Sequence, residues 1–558
     1  MKKKLAILLA SVLAFSAIAA GCGKKDAPAA DTQTEAQATE AGDAATAGGN
    51  NVLNVQIGPS PETIDPALNS AIDGANMILH AFEGLTKFDK DNNIVGGLAE
   101  SWDVSEDGKT YTFHLRDGLK WSDGSPLTAN DFVYSWKRLA DPNTAAPYGS
   151  IINVVKGFEE AANGDVDKLA VSAPDDKTFV VELNNPCSYF DKIAGFLACV
   201  PVQQATIDAN GDAWAINPET YITNGAYTMK EFTDGDKIVF AKNPNYWDAA
   251  NITFDEIVFN LIEDSNASYT AYQNGDLQMI KDVPTEEIEA LRDNEEFNIA
   301  PILGTYYISY NCQKAPFDDP RVREALTLAI DKKYVAETIM QGTYSPASNF
   351  VGPGVSDAVD GTEFEKVTVE KYGNHYDVNN YEADLEKAKA LLAEAGYPNG
   401  EGFPQFSYLT NDAGYHKQLA EYLQQAWAEL GLTCTVDIQE WKTVTANRRA
   451  GNFDVARNGW VYDYDDPSNM IELLETTNGN NDGKFSDPEF DKLVEAARST
   501  GDKAEHYDLL HQAEQVLLEK SACGPIAYYN DFWLQKSNLK GTWHSPYGYW
   551  YFMYGTLE

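Results

Sequence analysis

Positive charge is the first shortage in this sequence. Lysine and arginine number 42 against 85 aspartates and glutamates, a net charge of −43 in 558 residues. Nucleic acid and anionic lipid are held through clustered basic side chains, so neither is an expected partner, and the acidity suits a soluble exported body. Cysteine is also scarce: there are six, none in a CxxC pair or at zinc-ligand spacing. Cys22 is assigned below; Cys187, Cys199, Cys312, Cys434 and Cys523 are an odd remainder and are expected to be mostly buried thiols. The seven histidines are scattered, and His506 and His511, five apart on one expected helix, are expected to be solvated. No Walker loop, HExxH or GxSxG is present. With 85 acids, no single pair of carboxylates singles out a secreted glycosidase. An enzyme is not expected, and no cofactor or metal is implied.

Long apolar runs are missing too. The longest, Leu5 to Ala20, falls short of the ~20 residues that a spanning helix needs. It follows Lys2, Lys3 and Lys4 and ends in Ala19-Ala20-Gly21-Cys22, the layout of a secretory signal peptide. The small residues before a single cysteine resemble the lipobox of bacterial lipoproteins, which implies lipidation of Cys22 and a lipid anchor on the extracytoplasmic face of the cell membrane. Residues 23–50 read as a tether, because 26–50 are rich in Ala, Thr, Gln and acid with no aromatic and can bury no core. Folding is expected to begin near Asn51.

What remains is about 500 residues, enough for two to four domains at ~150 each, and 43% hydrophobic with 12% aromatic residues suffices for sizeable cores. Val52 to Ile57 alternates as a strand, and a helix is expected through Met77, Ile78, Ala81 and Phe82. Asp89 to Asn93 has acids at calcium-loop spacing, but Ile94 stands where that loop needs glycine, so a hairpin turn is expected. Tyr111 to Arg116 alternates as a strand, and Thr128 with Asp131 starts a helix that stops at Asp141-Pro142. Asp319-Pro320 opens a helix with Val322, Ala325, Leu326, Ala329 and Ile330 on one face. Leu419 to Leu430 forms another before the strand Leu432 to Ile438. Helices laid on strands predict α/β lobes.

The stretch Phe453 to Pro467 concentrates arginine, glycine, aromatics and acids in one strand and turn. Arg457 there is either a cation at the rim of a core or a ligand contact. Gly459 leaves the backbone open beside Trp460 to another extended chain. Asp463 lies roughly 20 Å from Arg457 along an extended strand at ~3.3 Å per residue, so the two could hold opposite ends of a zwitterion but not one ionic group. A solvated acidic turn is the alternative. Likewise Trp441, Val444 and Arg448, on one helical face, are either core with a snorkelling rim or pocket wall with a carboxylate clamp.

Several ordered motifs bear on the choice. Leu98-Ala99-Glu100-Ser101-Trp102, Thr112-Phe113-His114-Leu115-Arg116, Lys120-Trp121-Ser122-Asp123-Gly124 and Asp131-Phe132-Val133-Tyr134-Ser135-Trp136 come first. Asp141-Pro142-Asn143-Thr144, Thr223-Asn224-Gly225-Ala226-Tyr227, Asp319-Pro320-Arg321-Val322-Arg323 and the Phe453 to Pro467 stretch follow in register. Together they resemble the family 5 bacterial extracellular solute-binding proteins, and within it the oligopeptide-binding components of ABC importers, over nearly everything after the tether. The resemblance implies a type II periplasmic-binding-protein-like clamshell, mixed sheets flanked by helices with an additional inserted domain. It places lobe I at 51–82, 203–303 and 530–558, the inserted domain at 83–202 and lobe II at 304–529. By the same resemblance Asp463 receives a peptide amine, Ile72, Gly459, Trp460 and Val461 follow the ligand backbone, and Tyr148, Tyr307, Trp441 and Trp460 line side-chain pockets. Arg448, Arg457 and His416 match groups that meet the ligand carboxylate. Phe196 and Met340 depart from the pattern, standing where relatives have basic residues at that end, and Gly304 and Val461 replace a pair of cysteines. The implied partners are short peptides and the transmembrane subunits of a permease, for a monomer anchored by lipid. Relatives that carry nickel, haem or sugars are the nearest alternative.

Overall fold

The structure, a computed structural model, describes residues 51–359, 361–411 and 415–558, with the backbone alone at 442. The leader, the lipobox with Cys22 and the tether lie outside the described residues. Local signals yield the expected elements. Val52–Gln56 is a strand and Ile72–Ala81 a helix. Asp131 accepts from the Thr128 backbone N–H at 2.7 Å at the head of helix Ala129–Ala140, which ends at Asp141. Asp319 likewise accepts from the Arg321 N–H at 2.8 Å to cap Pro320–Leu328. Asp89 to Asn93 turns between the paired strands Thr86–Phe88 and Ile94–Gly96, its Asp89 carboxylate taken up by the backbone N–H groups of Asp91 and Asn93.

Among the described residues eleven strands make one mixed sheet. Its order runs Cys434–Gln439, Phe406–Asn411, Val455–Val461, Phe297–Tyr310, Cys523–Gln535, Met279–Ile280, Val52–Gln56, Glu256–Asn260, Lys237–Lys242, Tyr227–Thr233, with Ser345–Pro346 beside Cys523–Gln535. Two long antiparallel strands, Phe297–Tyr310 and Cys523–Gln535, carry the sheet from one half of the molecule to the other. Their pairing breaks register between Pro301 and Thr305, a bulge that bends both strands. Phe297 to Pro301 are partly exposed and Ile302 to Tyr310 are all buried, so the chain passes there into a second core.

Two large cores result. One gathers Leu53, Phe240, Phe259 and Phe552; the other gathers Tyr306, Leu326, Leu423, Trp427 and Leu517. A separate antiparallel sheet, Ala99–Val104, Thr110–Leu115, Thr178–Glu182 and Val171–Asp175, lies against helix Ala129–Ala140, with Phe132 and Trp136 packed on Phe179. Its side chains join the first core. The architecture is a two-lobed α/β clamshell, with this small sheet added to the first lobe.

One expectation is corrected. His506 and His511 are buried, not solvated, because helix Lys503–Glu519 is covered by the second lobe over most of its circumference. His506 Nε2 stands 3.1 Å from Asp466 Oδ1 and His511 Nε2 stands 2.9 Å from Asp357 Oδ2. The five described cysteines are free thiols, and Cys187, Cys199, Cys434 and Cys523 are buried. Among the described residues no helix is long and apolar enough to cross a membrane.

Candidate functional site

The Val455–Val461 strand is paired along its whole length on one side, from Val455 opposite Tyr310 to Val461 opposite Gly304. Gly304 and Val461, the positions where the resemblance implies a cysteine pair, thus face each other. On its other side the strand pairs only at Val455 and Ala456, with Tyr408 and Leu409. From Arg457 to Val461 that second edge pairs with no strand among the described residues. It borders a cleft of about 980 Å³ whose walls come from both lobes, Ile72 and Tyr148 on one side and Trp441 and Arg448 on the other. A peptide in extended form could add itself to such an edge through main-chain hydrogen bonds. Gly459 keeps its place by size: a Cβ there would stand 2.0 Å from the Tyr529 hydroxyl.

At one end of this edge lies Asp463, 9% exposed. Its backbone N–H donates to Asn469 Oδ1 at 3.1 Å, and Asn469 Nδ2 donates to Asp463 Oδ2 at 3.2 Å. Asn469 Oδ1 also accepts from Trp460 Nε1 at 2.9 Å, which ties the acid to the strand. Burial pushes the Asp463 carboxyl up to about 7, against the opposing pull of Asn469 and Tyr148. Neither of those neighbours is a cation. A buried carboxylate so placed gains most from a cationic partner.

At the other end the charge is positive. Arg457 Nη1 donates to Asn411 Oδ1 at 2.8 Å, and its guanidinium stands 4.5 Å from the centroid of the Trp441 ring. Arg448, on helix Trp441–Ala450, donates through Nη1 to the Arg457 carbonyl at 3.0 Å, and its Nε stands 3.0 Å from Asp482 Oδ2. That ion pair lacks hydrogen-bond direction: Arg448 Nε, Arg457 Nε and Asp482 Oδ1 are buried with no hydrogen-bond partner. Burial, and to a smaller extent the Arg457 charge, depresses the Arg448 guanidinium, and Asp482 opposes the effect.

Ten of the eleven expected contact residues line this one cleft: Ile72, Tyr148, Tyr307, Trp441, Arg448, Arg457, Gly459, Trp460, Val461 and Asp463. His416 does not. It sits behind Tyr306, rings stacked at 5.7 Å, with Nδ1 3.3 Å from the Tyr306 hydroxyl. Burial, then the Arg457 charge, holds its imidazole well below the usual range, so it is neutral and offers a carboxylate no charge. Of the two departures, Phe196 lines the cleft edge-on to Tyr148, whereas Met340 is packed in the second core and lines none of it. Sequence reasoning passed over Arg449, beside Arg448, and Asp73, Lys281, Asp482 and Tyr549 on the walls. Only Arg449 carried a local signal, as the second arginine of a pair.

A two-lobed fold with a strand edge laid between charges of opposite sign defines a solute-binding protein, and the comparisons agree. The chain belongs to the bacterial extracellular solute-binding proteins, family 5: it matches the family described as "Bacterial extracellular solute-binding proteins, family 5 Middle" over residues 93–482. It is 34% identical over 505 residues to the oligopeptide-binding protein OppA of Bacillus subtilis, covering 88% of this chain and 90% of that one. Haemophilus influenzae OppA in complex with RPPGFSPFR superposes with a TM-score of 0.81 at 30% identity, over 91% of this chain and 99% of that one. An unliganded open form of the murein tripeptide-binding protein MppA, 31% identical over 91% of this chain and 97% of that one, gives only 0.68. At like identity and coverage, this chain is less similar in overall shape to that open form.

Proposed function

We propose that this protein captures short oligopeptides between its lobes and delivers them to the transmembrane subunits of an ABC importer. The observation that carries the reading is the unpaired strand edge from Arg457 to Val461, with a buried, cation-free carboxylate at one end and two arginines at the other. Main-chain pairing supplies affinity that does not depend on ligand sequence, and the two charged ends select a free amine and a free carboxylate. Closure over a ligand lacking one end leaves a charge buried and unpaired. The relatives named as oligopeptide-binding proteins, one of them in complex with RPPGFSPFR, support peptides over other solutes. The protein returns its ligand intact.

In this reading 51–82, 203–303 and 530–558 form lobe I, 83–202 the inserted domain and 304–529 lobe II, with the crossing strands as hinge. Cys22 carries the lipid that holds the monomer at the outer face of the membrane. Native mass spectrometry of the purified protein should find co-purified peptides, and calorimetry should show binding of free-ended peptides. Absence of both, with binding of a metal chelate or sugar instead, overturns the proposal. With Cys22→Ala the protein should leave the membrane fraction at unchanged affinity.

A further inference from the structure

Behind Asp463 the cleft continues into a second cavity of about 620 Å³. Asp463, Phe196, Leu197 and Tyr549 line both spaces and so form the mouth between them. Aromatic residues are the largest group in its walls, beside a few charged ones at Glu83, Lys87, Asp89, Lys90 and Asp248. Trp543 lies parallel between Tyr551, at 4.7 Å, and Tyr554, at 5.5 Å, and Phe82, Phe88 and Trp247 close further sides. The chief polar group in the wall is already satisfied. The Glu83 carboxylate accepts from Lys87 Nζ at 2.8 Å, from the Tyr246 hydroxyl at 2.5 Å and from Trp247 Nε1 at 2.6 Å. With that group satisfied, the cavity offers a ligand its ring faces and edges, and Trp543 Nε1 is a donor buried without a hydrogen-bond partner among the described residues.

We infer that this cavity receives the side chain of the ligand's first residue and favours large apolar ones, aromatic above all. The inference rests on the peptide reading: an amine held by Asp463 places the first Cα, one bond away, at the shared mouth. From that point the side chain can turn into the aromatic cavity, whose volume exceeds that of a tryptophan side chain. A large ring buries 150–250 Å² against such walls and adds edge-to-face contacts, whereas alanine leaves most of the wall in water. An acidic first side chain would instead bring a second negative charge beside Asp463 and Glu83.

The test is a series of tripeptides differing only in the first residue, Ala, Leu, Phe or Trp, titrated by calorimetry into the wild type and into Val95→Trp and Leu79→Phe. Both substitutions add bulk to the cavity wall and neither position lines the main cleft. The wild type should bind Phe-first and Trp-first peptides at least about tenfold more tightly than Ala-first. Either variant should bring that ratio toward one, weakening aromatic-first peptides more than Ala-first. Two variants on separate elements keep the test valid if one fails to fold. Equal affinities across the wild-type series, or a ratio unchanged in a folded variant, overturn this inference and leave the peptide reading standing. If no tripeptide binds at all, the peptide reading falls with it.

Discussion

Asn469 grips Asp463 at two points, accepting from its backbone N–H at 3.1 Å and donating to its carboxylate at 3.2 Å. The carboxylate is thereby fixed in direction while its charge stays uncompensated. Asp463→Asn keeps the size and the Asn469 contacts but removes the charge that a ligand amine would meet. Peptide binding should weaken by about 2–5 kcal/mol, the range for truncating one member of a buried charged pair, with the melting temperature held or raised. N-acetylated peptides should bind the wild type about as poorly as free peptides bind the variant. Calorimetry that finds acetylated and free peptides equal on the wild type rules out Asp463 as the amine site.

Because burial raises the Asp463 carboxyl to about 7, binding should be coupled to a proton. In the unliganded protein the raised value means stability that is full below the ordinary carboxylate value of 3.8 and is lost as pH rises through about 7. Ligand affinity runs the other way. A peptide amine needs the ionised acid, so below pH 7 each binding event expels a proton and affinity falls by up to about tenfold per pH unit. Above pH 8 it should fall again as the amine itself, with an ordinary value near 7.7–8.0, loses its proton. Binding enthalpies in buffers of different ionisation heat at pH 6 should show the released proton, and Asp463→Asn should abolish it.

Much of this was legible locally. The alternation of Val52–Gln56, the Thr128 and Asp131 cap and the Asp319-Pro320 helix start depend on residues within a few positions of each other, and they form as read. The strand carrying Arg457 and Gly459 was legible for the same reason, but its unpaired edge was not, since that depends on where Phe406–Asn411 stops pairing. The histidine errors share one cause. His506 and His511 are buried, and His416 is half-buried, against partners 40 to 154 residues away in the chain, Asp466, Tyr306 and Asp357 among them, and no local pattern announces such a partner. Asp482 and Tyr549 were hidden by abundance, being one of 85 acids and one of 30 tyrosines.

At the cationic end, Arg448 and Arg457 should separate by their losses. Arg448→Ala takes from Asp482, 5% exposed, the cation that pairs with it and leaves only Lys484 and Arg449 nearby, so stability should fall by up to about 3 kcal/mol along with affinity. Arg457→Ala removes the Asn411 and Trp441 contacts but leaves no buried acid behind, so affinity should suffer more than melting temperature. C-terminal amidation of the peptide should make ligands indifferent to Arg457→Ala. Phe196 stands beside Asp463 at the amine end and so takes nothing from the carboxylate end, but with His416 neutral and outside the cleft, tolerance for long peptides should be narrow. A series of two- to eight-residue peptides with a flat profile, insensitive to both substitutions, would refute this account of the carboxylate end.

The turn after Asp463 also joins the two halves of the molecule. Lys192 Nζ donates to the Asp465 carbonyl at 2.5 Å and stands 3.7 Å from its carboxylate, which Ser356 holds from the other side. Next to it Tyr464 stacks on Tyr189 at 5.0 Å with the rings 6° from parallel. In the proposed division Lys192 and Tyr189 fall in the inserted domain and Ser356 and Asp465 in lobe II, so these contacts would hold the two together where the lobes meet. Both charged side chains are partly exposed, about a fifth each, and such a pair contributes about 0.2–1 kcal/mol. Lys192→Ala should therefore speed peptide release by a few-fold at an unchanged association rate. The acceleration should be the same for every peptide, free or acetylated, because no ligand atom is involved. High salt should speed release from the wild type toward the variant's rate. Stopped-flow release rates that match in wild type and variant at low salt would show that the contact does not hold the lobes together.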